Sequence, residues 1–193
     1  ILLYFARKFD TAIGVDINPR AVKLAKFNAE LNRQSQTEVH FGSALDLNGK
    51  FGKFDLVTWN LPFIFMPDEQ ADESVDAYGG ELGIGLCLDF IETVPGLLTP
   101  KGFACVAAMA PIMQNGENVL EARLREQLAN LGLDCHIKVA QVSLAHTRDL
   151  WQFHQSQGIR KFESVYLYLK YGSGQLTREE PGMARKVLDK VRE

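Results

Sequence analysis

The chain has 193 residues, of which 46% are hydrophobic and 23% charged, a composition typical of one globular domain that is long enough to bury a core. Its formal net charge of -3 gives no overall basic field of the kind that drives non-specific binding to nucleic acid. No apolar run approaches the roughly 20 residues that a membrane helix needs, so we expect no membrane partner.

The cysteines indicate the redox state of the protein. Cys87, Cys105 and Cys135 are odd in number and lack the spacing of metal ligands. We therefore expect reduced thiols in the core of a cytoplasmic protein, with neither disulfides nor a metal site.

The first residues predict a helix whose own N-terminal turn is not included in the sequence. The apolar run from Ile1 to Ala6 lacks the capping residue or charged first turn that usually opens a helix. We interpret the chain as a piece of a longer protein. A secretory signal is not expected, because no basic segment precedes this apolar run.

The next elements predict a strand, a tight turn and a helix. Residues 11–17 form a short β-branched run that ends near an acid, Asp16. Asn18 is a good helix N-cap, Pro19 suits the first helical position, and an amphipathic stretch follows over 20–33. A second strand is predicted over 39–44.

The rest of the chain continues the alternation of strands and helices. The predicted elements are a strand over 54–59, a helix over 83–98, an apolar strand over 103–108, a helix over 117–131 with Gly132 as its C-cap, and strands over 137–144 and 164–171 around a polar insert. This order predicts an α/β fold with a doubly wound, mostly parallel sheet. The last two strands have no long apolar helix between them, so we expect an antiparallel edge pair at the C-terminal end. One domain is predicted over 1–171, followed over 172–193 by a linker and a charged terminal helix.

Asp16 is the first candidate binding residue. An acid at the carboxyl end of a strand projects into the crevice where open α/β sheets bind ligands, and it can accept hydrogen bonds from both hydroxyls of a ribose. The alternative is that Asp16 only caps the following helix. The glycine-rich loop that normally precedes such an acid is absent from the sequence.

The segment Asn60-Leu61-Pro62-Phe63 follows directly on a predicted strand and is the second candidate. Proline ends the hydrogen-bonded ladder and fixes the turn, so that carbonyl groups can face the crevice. The amide oxygen of Asn60 and a neighbouring carbonyl could then accept both hydrogens of a planar amino or amide group, while Phe63 stacks on its face. The alternative is an ordinary turn with a buried phenylalanine.

Together these motifs resemble class I S-adenosylmethionine-dependent methyltransferases, which have a Rossmann-like sheet. Residues 14–22 are similar to the second-strand motif of that class. Asn60-Leu61-Pro62-Phe63 is similar to the Asn-Pro-Pro-Tyr/Phe motif of its small-domain branch. That branch includes release-factor glutamine methyltransferases and ribosomal RNA guanine methyltransferases. The segment Gly79-Gly80-Glu81-Leu82-Gly83 is similar to a glycine-rich segment of the glutamine-modifying members. Leu61 departs from the family pattern and predicts a less rigid turn.

The resemblance implies roles for individual residues. Asp16 would bind the ribose of S-adenosylmethionine and Ile17 would pack on its adenine. Ser43, Ala44 and Leu45 would border the adenine edge, with Asp46 as a substitute for the acid that Ala44 replaces. Asn60 would contribute to both cofactor and acceptor binding. Pro62 and Phe63 would complete the catalytic corner, and the first strand and glycine loop would precede Ile1.

The charge pattern bears on the methyl acceptor. Between Asn60 and Pro100 the chain has eight acids and no lysine or arginine, which favours a protein or small-molecule acceptor over a phosphate backbone. A basic C-terminal end keeps nucleic acid open as a partner, with an RNA or DNA nucleobase amino group as the alternative acceptor. For His146 and His154 we expect surface or hydrogen-bonded roles rather than acid-base chemistry.

Two further hypotheses come from other functional classes. A nicotinamide-dependent oxidoreductase would share Asp16 but gives no reason for the motif at Asn60. A non-catalytic nucleotide-binding module is consistent with Leu61 and the missing glycine loop. The oligomeric state cannot be predicted from the sequence.

Overall fold

The computed structural model describes residues 1–71, 74, 76–143 and 148–179. The chain divides into two compact units, unit 1 (Ile1–Phe51) and unit 2 (Gly52–Glu193). The predicted terminal helix over 183–193 and His146 lie outside the described residues.

Unit 1 is a β-α-β arrangement preceded by a short helix. Its elements are α1 (Leu2–Ala6), β1 (Ala12–Asp16), α2 (Pro19–Leu31), β2 (Thr37–Phe41) and a 3-10 turn over Ala44–Asp46. Strands β1 and β2 are parallel, and Asp16 is opposite Phe41 at their carboxyl ends. The helix predicted at the start of the chain and the first strand are both confirmed.

Helix α2 begins where the sequence predicts. The Oδ1 atom of Asn18 accepts a hydrogen bond of 2.9 Å from the Arg20 amide, and Pro19 occupies the first helical turn. The buried side of the helix is formed by small residues, Val22 and Ala29. Leu24 and Leu31 are more than half exposed, at 60% and 68%.

Unit 2 contains the larger part of the fold. Its helices are α3 (Asp68–Ala71), α4 (Gly85–Leu97), α5 (Val119–Leu131) and α6 (Arg148–Ser156). Its strands are β3 (Phe54–Asn60), β4 (Leu98–Met113), β5 (Leu133–Ser143), β6 (Ile159–Tyr171) and β7 (Leu176–Glu179). They form one sheet in the order β3-β4-β6-β5-β7.

The sheet of unit 2 combines parallel and antiparallel pairs. Strands β3 and β4 are parallel, whereas β6 is antiparallel to both β4 and β5. The predicted α/β class and the predicted antiparallel pair near the C-terminal end are therefore confirmed. One detail differs, because β7 pairs in parallel with β5 and occupies the edge of the sheet.

Strand β7 corrects the prediction of a linker over 172–182. The Asp134 carboxylate accepts hydrogen bonds of 2.9 Å from the amides of Ser173 and Gln175, which turns the chain back toward β5. The guanidinium of Arg178 on β7 then pairs with the carboxylates of Glu121 and Glu163. The N–H of Gln175, with that of Ser173, lowers the pKa of the Asp134 carboxyl.

Helices α4 and α5 supply much of the core. Helix α4 buries Phe90, Ile91 and Val94 almost completely, while α5 buries Leu120, Leu124 and Leu128 at a spacing of four residues. Each such side chain contributes about 1.5–3 kcal/mol when it is removed from water. Gly132 ends α5 in the left-handed conformation, as predicted. In the part of the chain that the structure describes, no helix has both the length and the apolar character needed to cross a membrane.

Candidate active site

Five predicted cofactor residues lie together at the carboxyl ends of β1 and β2, which we call the β1–β2 edge: Asp16, Ile17, Ser43, Ala44 and Leu45. The amide of Gly42 donates a hydrogen bond of 3.1 Å to the carbonyl of Asp16, so the two strand ends are joined directly. Parallel pairing explains this arrangement, since the carboxyl ends of parallel strands meet at the same edge.

Asp16 has a local structural role at this edge. Its Oδ1 atom accepts a hydrogen bond of 2.7 Å from the Asn18 amide, which supports the turn into α2. The side chain is exposed, and a carboxylate can accept about four hydrogen bonds in all. The N-cap of α2 is Asn18, so Asp16 supports the turn before the helix and does not itself cap it. The carboxylate retains capacity for further hydrogen bonds, such as those from the hydroxyls of a ribose. Ile17 beside it is 53% exposed and offers an apolar surface.

Ser43 ends the second strand and starts the next turn. Its Oγ atom accepts a hydrogen bond of 3.1 Å from the Leu45 amide and caps the 3-10 turn. Strand β2 ends at Phe41, opposite the last residue of β1, and does not continue to residue 44 as predicted. Ala44 and Leu45 are half-buried, and Asp46 is exposed.

The second group of predicted residues lies in unit 2, at the end of β3. We call residues Asn60 to Phe63 the β3 corner. Asn60 is the last residue of β3, is opposite Ala107 of β4, and is exposed. Its side-chain amide makes no hydrogen bond to any residue within the described ranges. The amide oxygen and nitrogen are thus available to a ligand.

Leu61 is the buried residue of the β3 corner. Its side chain is only 2% exposed and ranks among the largest fully buried side chains of the protein. Burial of a leucine contributes about 1.5–3 kcal/mol. The sequence predicts a less rigid turn with Leu61 in place of proline, and the structure shows that hydrophobic burial supplies the missing constraint.

The glycine-rich segment packs directly against the main chain of the β3 corner. A Cβ atom at Gly79 would lie 2.7 Å from the Cα atom of Phe63, and a Cβ atom at Gly83 would lie 2.6 Å from the Phe63 carbonyl oxygen. Gly83 also has a φ of 75°, which other residues rarely adopt. Only glycine fits this close approach of two backbone segments.

Two backbone hydrogen bonds fix the chain that leaves the corner. The Ile64 amide donates to the Ala77 carbonyl over 2.8 Å, and the Gly79 amide donates to the Ile64 carbonyl over 3.0 Å. Phe63 is half-buried and packs against a buried cluster formed by Met109, Ile159 and Phe162. Part of its surface is therefore used in packing, and part remains exposed.

The acids predicted to surround the acceptor are exposed where the structure describes them. These residues are Asp68, Glu69, Asp76, Glu81, Asp89 and Glu92, whereas Asp72 and Glu73 lie outside the described residues. Asp68 accepts a hydrogen bond of 3.2 Å from the hydroxyl of Tyr78, and Glu81 approaches Arg123 at 3.7 Å. Glu92 accepts a hydrogen bond of 3.1 Å from the side-chain amide of Gln127.

Sequence reasoning missed the role of the insert between β5 and β6. It forms helix α6, and His154 on that helix is 1% exposed, with Nε2 2.6 Å from the carbonyl oxygen of Phe65. The expectation of a hydrogen-bonded His154 is confirmed at Nε2. The hydrogen bond from His154 to Phe65 was not predictable, because the two residues are far apart in sequence. The aromatic residues Trp151 and Phe153 in the same stretch were a signal that the insert packs against the rest of the protein.

The cysteines are poor candidates for nucleophiles. Cys87 and Cys135 are buried and Cys105 is half-buried, and all three are free thiols. Burial raises the pKa of the Cys87 thiol above its ordinary value and raises that of Cys135 to about 12, so both stay protonated at neutral pH. Across the ranges that the structure covers, no three His, Cys, Asp or Glu side chains are grouped to hold a metal ion.

Comparison with solved structures establishes the class of fold. The chain is similar to Trm5b of Pyrococcus abyssi, with a TM-score of 0.55 and 16% identity, covering 88% of this chain and 40% of that protein. It is also similar to an rRNA methylase of Streptococcus thermophilus, with a TM-score of 0.50 and 11% identity, covering 88% of this chain and 78% of that one. The fold is the Rossmann-like α/β fold found in methyltransferases.

One sequence relative is more specific. The chain is 38% identical over 96 residues to a protein of Methanocaldococcus jannaschii that is named as a candidate protein N5-glutamine methyltransferase. The match covers 47% of this chain and 46% of the relative, so the chain spans under half of the relative's length. The predicted resemblance to glutamine-modifying methyltransferases is thus confirmed. No protein-family model matches the chain.

Proposed function

We propose that the protein is an S-adenosylmethionine-dependent N-methyltransferase that acts on a planar amide or amino nitrogen, with protein glutamine preferred. The observation that carries the proposal is the β3 corner. It presents Asn60 exposed, with an amide that makes no hydrogen bond among the described residues, on a backbone fixed by glycines and buried side chains. The identity to the Methanocaldococcus jannaschii relative supports the same class of acceptor.

The residues of the β1–β2 edge fit the nucleoside part of the cofactor. Asp16 is exposed and keeps acceptor capacity for two ribose hydroxyls, while the exposed Ile17 suits the apolar face of adenine. Ser43, Ala44 and Leu45 lie in the turn that follows the adjoining strand and would border the base. Hydrogen bonds to an ionised acceptor contribute about 1.5–3 kcal/mol each, so Asp16 would carry much of the affinity.

When bound, S-adenosylmethionine supplies a methyl group that is already electrophilic. The chain's own task is to hold the acceptor nitrogen in line, and such positioning can lower a barrier by up to roughly 7–11 kcal/mol. The Asn60 oxygen would accept one N–H of the acceptor and a carbonyl of the β3 corner would accept the other. These acceptors direct the nitrogen lone pair toward the methyl group and stabilise the positive charge that develops on nitrogen. Phe63 would hold the planar group by stacking.

The exposed acids favour a protein or small-molecule acceptor. A phosphate backbone that approached Asp68, Glu69 and Asp76 would meet like charge, which lowers both the association rate and the affinity. A glutamine side chain is neutral and meets no such penalty. We propose further that the catalytic domain comprises residues 1–171 together with β7, and that the protein acts in the cytoplasm.

The proposal is tested by cofactor binding and by product analysis on the full-length protein. We expect calorimetry to show binding of S-adenosylhomocysteine and no binding of NAD, and the reverse result would favour an oxidoreductase. Incubation of fractionated lysate with S-adenosylmethionine labelled in the methyl group should yield labelled protein that releases N5-methylglutamine on complete enzymatic digestion. Label in RNA or DNA would favour a nucleobase acceptor, and binding without any transfer would favour a non-catalytic module.

A further inference from the structure

His154 is buried in an aromatic environment beside the segment that leaves the β3 corner. Its ring stacks on that of Phe65, with an interplanar angle of 11° and 5.8 Å between centroids, and meets the edge of Phe162 at 4.8 Å. Trp151 and Phe153 of the same helix contact it as well. A histidine that is 1% exposed in such surroundings is held in one orientation.

The hydrogen bond of this ring has a defined direction. The Phe65 carbonyl oxygen can only accept, so the Nε2 atom of His154, 2.6 Å away, must carry the proton and donate it. The bond joins α6 to a segment 89 residues earlier in the chain. Loss of the donor would leave a carbonyl oxygen without its partner in a part-buried position, which is unfavourable.

The bonded carbonyl is continuous with the proposed catalytic residues. Phe65 follows Phe63 by two residues, and the amide and carbonyl of Ile64 between them are already fixed by Ala77 and Gly79. Phe63 and Phe65 pack on the same cluster that contains Phe162, which His154 also contacts. The ring of His154 therefore holds the far end of the segment whose near end carries Asn60.

We propose that His154 is a positioning residue of the methyl-acceptor site. By holding the Phe65 carbonyl, it fixes the main chain over 61–65 and with it the placement of Asn60 and Phe63. This inference rests on the proposed function for its catalytic consequence, but the conformational part stands on the contacts alone. The residue touches neither acceptor nor cofactor in this scheme.

Two substitutions separate the hydrogen bond from the stacking. His154→Phe keeps an aromatic ring but removes the donor, whereas His154→Gln keeps an amide N–H at the distance of Nε2 but removes the ring. We expect His154→Phe to increase hydrogen exchange of a peptide covering 61–66 by at least about 10-fold, as measured by mass spectrometry. The same variant should lose about 10- to 100-fold in kcat, because a small misplacement of reacting groups has effects of that size.

The expected pattern has three further parts. In His154→Phe, the affinity for S-adenosylhomocysteine should stay within about two-fold of wild type. KM for the protein acceptor should change less than kcat in the same variant. His154→Gln should recover much of the wild-type hydrogen exchange over 61–66 and much of the wild-type kcat. Leu128→Ala serves as the matched control, because this residue is equally buried and lies on α5. It should lower thermal stability without selective exchange at 61–66.

The outcomes distinguish the two proposals. Hydrogen exchange over 61–66 that is no faster in His154→Phe than in wild type would overturn the positioning role. An equal increase in Leu128→Ala and His154→Phe would also overturn it. A wild-type protein without methyl transfer would overturn the proposed function, while the exchange experiment would still decide whether His154 orders the segment. Selective exchange together with an unaltered kcat would show that the contact is only structural and would also overturn the inference.

Discussion

The β1–β2 edge and the β3 corner are built in different ways. At the β1–β2 edge, the side-chain hydrogen bonds of Asp16 and Ser43 reach only two residues along the chain. At the β3 corner, the constraints come from far away in sequence, through Gly79, Gly83 and His154. The residues proposed to bind the cofactor are thus held by local turns, whereas those proposed to orient the acceptor nitrogen are held by contacts with distant parts of unit 2.

The same contrast appears in the packing of the two units. Unit 1 leaves large apolar side chains such as Leu24, Phe27 and Leu31 more than half exposed, at 60%, 58% and 68%. Unit 2 buries the leucines of α5 and the anchor Leu61 almost completely. Substitutions at the corner should therefore affect stability and turnover together, whereas those at the edge should act mainly on binding.

The strongest test of this contrast is Gly83→Ala. The new Cβ atom would lie 2.6 Å from the Phe63 carbonyl oxygen at a φ of 75°. Left-handed backbone strain of about 1–2 kcal/mol and overpacking of about 1–3 kcal/mol together predict a loss of about 2–5 kcal/mol in the free energy of unfolding. Urea denaturation measures this quantity.

Gly116→Ala is the control for Gly83→Ala. Gly116 has a φ of 88°, but no atom lies within 4 Å of the position of its Cβ. Only the backbone strain of about 1–2 kcal/mol should remain. Equal losses in the two variants would mean that the approach of Gly83 to Phe63 is not a tight contact.

The second test removes the side chain of Asn60. Asn60→Ala should reduce kcat by about 100-fold or more, the effect of losing one preorganised polar partner in an active site. The affinity for S-adenosylhomocysteine should stay within a few fold, because the residues proposed to bind the nucleoside lie at the β1–β2 edge. A variant with near-normal turnover in a labelled-methyl assay would remove Asn60 from the mechanism.

The third test concerns the edge and separates two roles of Asp16. Asp16→Asn retains an oxygen that can accept from the Asn18 amide, so the turn into α2 should persist. The charge is lost, and the affinity for S-adenosylhomocysteine should fall by about 10-fold, equivalent to about 1.4 kcal/mol. Asp16→Ala should show this loss and also destabilise the turn. Calorimetry and thermal unfolding measure the two effects, and unchanged affinity in both variants would leave Asp16 with the turn alone.

The smallest effect is expected on stability at low pH, at Asp134, which belongs to neither the β1–β2 edge nor the β3 corner. Hydrogen bonds from the Gln175 and Ser173 amides lower the pKa of its carboxyl in the folded protein. Its contribution to stability is therefore fully present above the ordinary aspartate pKa and is lost as the pH falls through the lower folded value. The difference in urea stability between wild type and Asp134→Ala should shrink below about pH 4. A difference that does not change with pH would contradict this account.

The elements governed by local chemistry were predictable from the sequence. Asn18 and Pro19 start α2, and Gly132 ends α5, because caps depend on residues within one turn. The strand that carries Asn60 was also predicted, as was the grouping of Asp16 with Ser43 at one strand edge. These features follow from the order of elements and from parallel pairing.

Features that depend on distant contacts were not predictable. Burial of Leu61, the contact of Gly83 with Phe63 and the bond from His154 to Phe65 each join residues well separated in sequence. Strand β7 was predicted as a linker for the same reason, since its pairing depends on the Asp134 turn. The roles proposed for Asn60, Pro62 and Phe63 in turnover stay predictions.

The burial of Leu61 has a consequence for thermal unfolding. A proline at position 61 would restrain the turn through its ring, in addition to Pro62, whereas Leu61 restrains the turn through a side chain embedded in the interior. A side chain buried to this degree leaves the interior when the core around it unfolds. We therefore expect the β3 corner to lose its shape on warming together with the unfolding transition of unit 2 and not before it.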